Sequence, residues 1–279
     1  MTSSCRLSLL GAEVDVLTPD EVMSAIAQSV TAKRRMVIAN HNLHSLYLFH
    51  RRSDMRAFYA KADLIEIDST PMILWGRLLG RCVSRAHRCT YLDFRESFWA
   101  RAQSEGWRVC HVGGAPEHNP LSKAAILNRY PDVHLDMHTG YFDVTGADNE
   151  RLLAELAAHK PDVLLVGMGM PRQELWILNN LERLPECAIM PIGAAFDYEA
   201  GVMYTPPRWT GQIGIEWLVR FFHEPKRLFS RYFLESWVLI PHAMRDVFTR
   251  SEAAQARRIS GGGRSPLPKR KTLRKRKPR

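Results

Sequence analysis

An aspartate that closes an apolar run is the first residue of this chain with an evident chemical use. Asp68 follows Leu64-Ile-Glu-Ile67 and precedes a helical pattern over Thr70–Leu79. At the mouth of a strand its carboxylate could serve as general base toward a hydroxyl, or it could cap the helix that follows. Two glycine clusters occupy the same kind of place. Gly113-Gly114-Ala-Pro-Glu117 leaves a strand-like run and opens a helical one, so its backbone can approach a phosphate and a helix N-terminus can offer N–H groups to it. Gly167-Met-Gly169-Met-Pro-Arg-Gln-Glu174 passes from a strand into a helix whose first turn suits Pro171. Arg172, Gln173 and Glu174 would then project at the strand end, where a ligand's hydroxyls could be hydrogen-bonded. A turn and a capped helix start would use the same residues.

Some chemistry is not encoded. The glycines do not follow the G-x-G-x-x-G spacing of a dinucleotide site, which argues against a nicotinamide-dependent oxidoreductase. There is no D-x-D pair, no H-x-x-x-H and no carboxylate cluster at metal spacing, so neither a metal nor a cofactor is expected. A diphosphate bound here would be met by helix N-termini and by arginines, among them Arg85, Arg88, Arg172 and Arg208. His111, His118, His134 and His138 fall at no ligand spacing and read as structural. The five cysteines are scattered without a C-x-x-C pair, which disfavours both structural zinc and a disulfide framework.

The elements that must position these residues alternate. Strands are predicted over Arg35–Ala39, Leu64–Ile67, Trp107–Val112, Val133–Met137, Val163–Val166 and Ala188–Ile192. Amphipathic helices are predicted over Asp93–Glu105, Glu117–Tyr130, Asp148–His159 and Pro171–Leu181. That alternation gives an α/β fold, a Rossmann-like sheet covered by helices on both faces. Ligands of such sheets bind beyond the carboxyl ends of the strands. Asn40, Asp68, Gly113, Gly114, Gly140 to Phe142, Gly167 to Gln173 and Gly193 to Asp197 all lie there, as one composite site.

From about Trp209 the chain turns aromatic and basic, with Pro225 interrupting the helical pattern. Arg220, Arg227 and Arg231 are spaced by seven and four, which places them on one side of a helix. The segment reads equally as an amphipathic helical pair lying on a bilayer and as a helix packed on the core. The net charge of +10 is carried by the tail: from Ser251 there are 11 Lys and Arg against Glu252, and the preceding 250 residues balance. The tail has little apolar surface to bury and is expected to be disordered, drawn to an anionic membrane surface by about 1 kcal/mol per basic residue near it. A neutral body offers no basic groove, so nucleic acid is not an expected partner. No run approaches a membrane span, and the first eight residues hold no signal-type apolar stretch, so a cytoplasmic protein is expected.

A longer series of residues carries a resemblance. It comprises Gly140-Tyr-Phe142, Asp162-Val-Leu-Leu-Val-Gly-Met-Gly-Met-Pro-Arg-Gln-Glu-Leu-Trp-Ile177, Gly193-Ala-Ala-Phe-Asp-Tyr-Glu-Ala-Gly201, Thr205-Pro-Pro-Arg-Trp209, Ile215-Glu-Trp-Leu-Val-Arg220 and Glu224-Pro-Lys-Arg-Leu-Phe-Ser-Arg-Tyr232. With these the chain resembles the WecG/TagA/CpsF glycosyltransferases (family 26) from roughly Leu7 to Phe248. The resemblance implies an inverting transferase that moves a sugar from a UDP-sugar to a polyprenyl-diphosphate-linked saccharide. It also implies a C-terminal helical appendage that docks on the inner face of the cell membrane. By the same resemblance Asp68 is the base, and Arg88, with Arg85 as an alternative, matches a family arginine. Gln173 and Asn40 match polar site positions, and Arg220, Arg227 and Arg231 match appendage arginines that help hold the diphosphate.

The expected divisions are a catalytic domain over 1–205, an appendage over 206–250 and a basic tail over 251–279. A homo-oligomer is compatible with this pattern. Where the family has Pro and Gly around the aspartate this chain has Ile67 and Ser69, and Ile38 replaces a threonine. The Arg85-x-x-Arg88-x-Thr-Tyr-x-Asp93 and Thr205-Pro-Pro-Arg-Trp209 phrasing is closer to the branch that adds glucose in xanthan-type exopolysaccharide assembly. UDP-glucose or another plain UDP-hexose is therefore the favoured donor, and N-acetylmannosamine or its uronate the alternative.

Overall fold

The computed structural model of the protein describes residues 5–205, 207, 209–210, 216–223, 225–230 and 234–249, and residues 216, 217, 220, 226 and 227 by their backbone alone. The chain opens with an antiparallel hairpin, β1 (Cys5–Leu9) and β2 (Ala12–Val16), and then helix α1 (Pro19–Ala32). There follow β3 (Met36–His41), α2 (Leu43–Arg51), α3 (Ser53–Ala60), β4 (Leu64–Ile67), α4 (Thr70–Leu78) and α5 (Tyr91–Glu105). The second half supplies β5 (Arg108–Gly113), α6 (Asn119–Arg129), β6 (His134–His138), α7 (Ala147–His159), β7 (Val163–Gly167), α8 (Arg172–Asn180), β8 (Ala188–Pro191) and α9 (Ala195–Glu199).

β3 to β8 form one sheet in the order β4-β3-β8-β7-β5-β6, with every pair parallel. Parallel strands buried on both faces read as continuous apolar runs, and this is why Val163-Leu-Leu-Val166 and Ala188-Ile-Met190 were recognisable as strands. One face packs Val37, Ile65, Ile67, Leu164 and Val166 with Trp176 of α8 and Phe58 of α3. The other packs Ile38, Val109, Leu165 and Met190 with Ile26 of α1, Trp99 of α5 and Phe196 of α9. The chain runs outward from β3 to β4, re-enters at β5, runs outward to β6, and fills the gap with β7 and β8. The carboxyl ends of the inner strands therefore border a crevice at the point where the winding reverses.

The first hairpin has no counterpart in the sequence expectations. Its turn places Leu10 and Gly11 both at positive φ, the geometry that joins twisted antiparallel strands, without the Asn-Gly signature that would reveal it. It is tied to the sheet edge by a side chain: buried Asp15 accepts from the Ile65 amide at 2.9 Å and from the Arg6 guanidinium at 2.8 Å.

Beyond α9 the described segments are α10 (Glu216–His223), α11 (Pro225–Phe229), a 3-10 turn over Glu235–Leu239 and a helix, α12, over 240–249. Of the two alternatives raised for the C-terminal region, packing on the body holds for one side of 234–249. Glu235 meets His44 of α2 at 2.5 Å, His242 stacks on His50 at 3.5 Å, and Asp246 accepts from the Leu10 amide at 2.8 Å and the Trp75 indole at 3.0 Å. The other side exposes Trp237, Ile240, Met244, Val247 and Phe248. Among the described residues no helix is long and apolar enough to cross a membrane. The tail over 251–279 lies outside the described residues.

Candidate active site

Asp68 stands one residue past β4. Its amide donates to the His41 carbonyl at 2.9 Å, the last link between β4 and β3, and the Asn42 amide group reaches its carboxylate at 3.4 Å. The following helix begins at Thr70 with Ser69 at the cap position, so helix capping is not where Asp68 sits. Beside it comes a cation from a separate stretch of chain. After a 3-10 turn over Arg85–His87 the backbone lies along the end of β4 as an isolated parallel bridge between Ile67 and Arg88, and the Cys89 amide donates to the Ile67 carbonyl at 2.9 Å. Arg88 is buried and pairs with Asp93 at 3.0 Å, while Asp93 also closes the capping box with Thr90 at the head of α5. A guanidinium does not lose its proton, so Arg88 carries a fixed positive charge, on a backbone that adjoins the strand end just before Asp68. Arg85, the alternative, is on the 3-10 turn and half-buried.

Asn40 ends β3. Its side-chain amide donates to the Pro191 carbonyl at 2.9 Å, which points its Oδ1 elsewhere, and that oxygen is buried without a protein partner. Its register partner on β4 is Glu66, an acid inside an apolar strand that sequence reading passed over. Glu66 is 3% exposed, its Oε1 has no partner, and burial, reinforced by Asp68, pushes its pKa well above the usual carboxylate range.

The β5–β7 side is made of backbone. Gly113 ends β5 against Gly167 so closely that a Cβ on Gly113 would lie 2.4 Å from the Gly167 oxygen. The sequence placed a helix N-terminus directly after the glycine pair; instead α6 starts at Asn119, whose side chain donates back to the Gly113 carbonyl at 3.1 Å. Pro120, at the first turn, marks the true start, and Pro116 belongs to the loop. Gly169 has φ +75° with open space where a side chain would be, leaving its backbone approachable.

Gln173 was expected to reach ligand hydroxyls. It is fully enclosed, donating to Glu174 at 2.8 Å and accepting from the Gly193 amide at 3.1 Å, so both ends of its amide join the β7 and β8 loops to one another. Burial raises the Glu174 carboxyl to about 7. Asp197 accepts from His118 at 3.1 Å in the tautomer that carries hydrogen on Nδ1, and both line an open pocket of about 540 Å³ with Val202, Met203, Tyr204 and His223. Tyr204 stacks on His223 of α10 at 3.8 Å, which makes the described part of the appendage one wall of that pocket. His111 stacks on Phe196, and burial lowers its pKa to about 3, so it is neutral.

Asn40, Asp68 and Arg88 are thus brought together at the ends of β3 and β4. Gly113, Gly114 and Gly169 lie across the sheet, and Asp197 borders the pocket at the far side. Arg220 and Arg227 are on α10 and α11, with side chains outside the described residues, as is all of Arg231. Among the described residues no group of three or more His, Cys, Asp or Glu could hold a metal ion.

The family model for the glycosyl transferase WecG/TagA/CpsF family matches residues 7–253, most of the chain. The chain belongs to this family. It is a glycosyltransferase. Similar proteins include two from Staphylococcus aureus, strains MRSA252 and NCTC 8325 / PS 47, each named N-acetylglucosaminyldiphosphoundecaprenol N-acetyl-beta-D-mannosaminyltransferase. Each is 23% identical over 231 residues, covering 81% of this chain and 88% of the relative. In this transferase, charged side chains gather at one end of the crevice and exposed backbone at the other.

Proposed function

We propose that the enzyme transfers an N-acetylhexosamine, N-acetylmannosamine being favoured, from a UDP-sugar to an N-acetylglucosaminyl-diphosphate-polyprenol by a single inverting displacement. The observation that carries the reading is the juxtaposition of Asp68 with buried Arg88 through the bridge at the end of β4. Asp68 takes the proton of the acceptor hydroxyl as it attacks the anomeric carbon. Arg88 and the approachable backbone across the sheet offset charge on the departing diphosphate, and Arg220, Arg227 and Arg231 add to that when the appendage closes. The names of the relatives favour the N-acetylmannosaminyl donor over the glucosyl one expected from local phrasing. Glucose is the second reading, supported by the Arg85-x-x-Arg88-x-Thr-Tyr-x-Asp93 and Thr205-Pro-Pro-Arg-Trp209 phrasing, with Ile38, Ile67 and Ser69 departing from the family's residues near the site.

The reaction is placed at the membrane because its acceptor is a lipid. The exposed side of 234–249, with Trp237, Ile240, Met244, Val247 and Phe248, supports docking on the cytoplasmic leaflet, and the basic tail adds attraction to anionic headgroups. The test is UDP release by purified protein, in detergent with EDTA, from a panel of UDP-sugars and a polyprenyl-diphosphate-linked N-acetylglucosamine. Acceptor-dependent release with UDP-N-acetylmannosamine is expected. Release with UDP-glucose alone moves the assignment to the second reading. Absence of both release and UDP binding overturns the transferase mechanism set out here.

A further inference from the structure

The mechanism uses one carboxyl of β4, but the strand carries two. Glu66 and Asp68 are separated by one residue, so their side chains leave the same face of the sheet about 7 Å apart along the strand. Glu66 lies one step deeper, and beside it, in register on β3, is Asn40. The ionisable neighbours that act on buried Glu66 are Asp68, on its own strand, which raises it further, and the Cys89 thiol, which Glu66 raises in turn. The Cys89 thiol is pushed up by burial first and then by Glu66, Asp93, Asp68 and Glu21. Arg88 is engaged with Asp93. The surroundings therefore favour a proton on Glu66.

Two buried oxygens in this corner lack protein partners, Glu66 Oε1 and Asn40 Oδ1. Unpaired buried polar atoms are costly, and here both belong to adjacent, register-paired residues of β3 and β4. Asn40 is held with its donor end on Pro191, so its free end is an acceptor. A protonated Glu66 is a donor. A donor and an acceptor side by side match a single hydroxyl, which accepts from one and donates to the other.

We propose that Glu66 is a neutral carboxylic acid that, together with Asn40, holds an acceptor-sugar hydroxyl neighbouring the one that reacts, making it a positioning and specificity-determining residue. It rests on the reading of Asp68 as base. The ring hydroxyl beside the nucleophile falls to the pair one step deeper on the same two strands. Keeping the proton on Glu66 also spares Asp68 a second negative charge on its own strand.

Glu66→Gln retains the shape and a donor but cannot ionise, whereas Glu66→Leu removes the hydrogen bond. With UDP-N-acetylmannosamine and lipid-linked N-acetylglucosamine, Glu66→Leu is expected to raise the acceptor KM about tenfold, on the scale of one lost hydrogen bond, and to leave the donor KM unchanged. Glu66→Gln is expected to restore the acceptor KM. It should also abolish the alkaline fall in kcat/KM, which in the wild type marks ionisation of Glu66, while the acid limb set by Asp68 stays. A rise confined to the donor KM, or an alkaline limb unchanged in Glu66→Gln, overturns the proposal. A readout independent of transfer is the infrared carbonyl stretch of a protonated carboxylic acid at pH 8. Subtracting the Glu66→Gln spectrum from the wild type should isolate one such band, which persists in Asp68→Asn. No band overturns the proposal even if transfer is observed; a band with no transfer from any donor places the failure in the mechanism instead.

Discussion

At the β3–β4 end of the crevice the wall is built from side chains: Asp68, a buried arginine paired to Asp93, and the orphaned oxygens of Asn40 and Glu66. At the β5–β7 end it is built from backbone, where Gly113 lies against Gly167 and Gly169 leaves its peptide open. The first end is made for moving protons and holding hydroxyls, which need groups of defined charge. The second suits a diphosphate, whose diffuse charge is met by N–H groups and needs room rather than specific side chains. The contrast teaches that the two halves should fail differently when altered, one in chemistry and the other in folding or donor affinity.

The sharpest break would come from Asp68→Asn. Turnover is expected to fall by about 10³ with little change in melting temperature, since a general base contributes on that order. Near-normal turnover would leave the side-chain end without its chemistry. Arg88→Met is expected to lower kcat by roughly 10², as for loss of one stabiliser of developing charge. It should also cost about 3 kcal/mol by taking the paired cation from Asp93, measured by urea unfolding. Full stability in that variant would mean that the buried pair contributes nothing. On the backbone end Gly113→Ala is expected to lose about 2 kcal/mol, because its Cβ meets the Gly167 oxygen at 2.4 Å, with the pH profile of the folded fraction unchanged. A shifted profile would show that the two ends are not separable.

The smallest effect is a matter of pH. Glu174, raised to about 7 in the fold against an ordinary value of 4.5, costs stability as pH rises through 4.5 and costs it in full above 7. Glu174→Gln should therefore match the wild type near pH 4.5 and exceed it at pH 8, by about 2 kcal/mol after allowing for relaxation. Equal melting temperatures at pH 8 would remove the penalty.

How legible these two ends were in sequence differs for physical reasons. The strands stood out because both faces of the sheet are covered, and their apolar runs end in small or polar residues. Asp68 and the glycines were visible for the same reason. The contact between Ile67 and Arg88 was not, because an isolated bridge between segments 21 residues apart has no periodicity of its own. Glu66 was hidden by its neighbours: an acid within Leu64-Ile-Glu-Ile67 looks like one polar interruption of a strand until its burial is known. Gln173 was read outward because a polar helix start is usually solvated; here the neighbouring loop folds over it. The N-terminal hairpin was missed because Leu10-Gly11 carries no turn signal beyond its glycine.

The bond from the Leu10 amide to Asp246 spans 236 residues. During synthesis the first hairpin leaves the ribosome early, but the carboxylate that completes its turn is among the last parts of the folded body to emerge. Contacts of such long sequence separation form late, so the turn and the Trp75 indole wait, unsatisfied, for a helix whose outer side is apolar. Completion of the fold is thereby coupled to the arrival of the segment that carries the exposed apolar side, and a chain truncated before it would leave its own beginning unfinished.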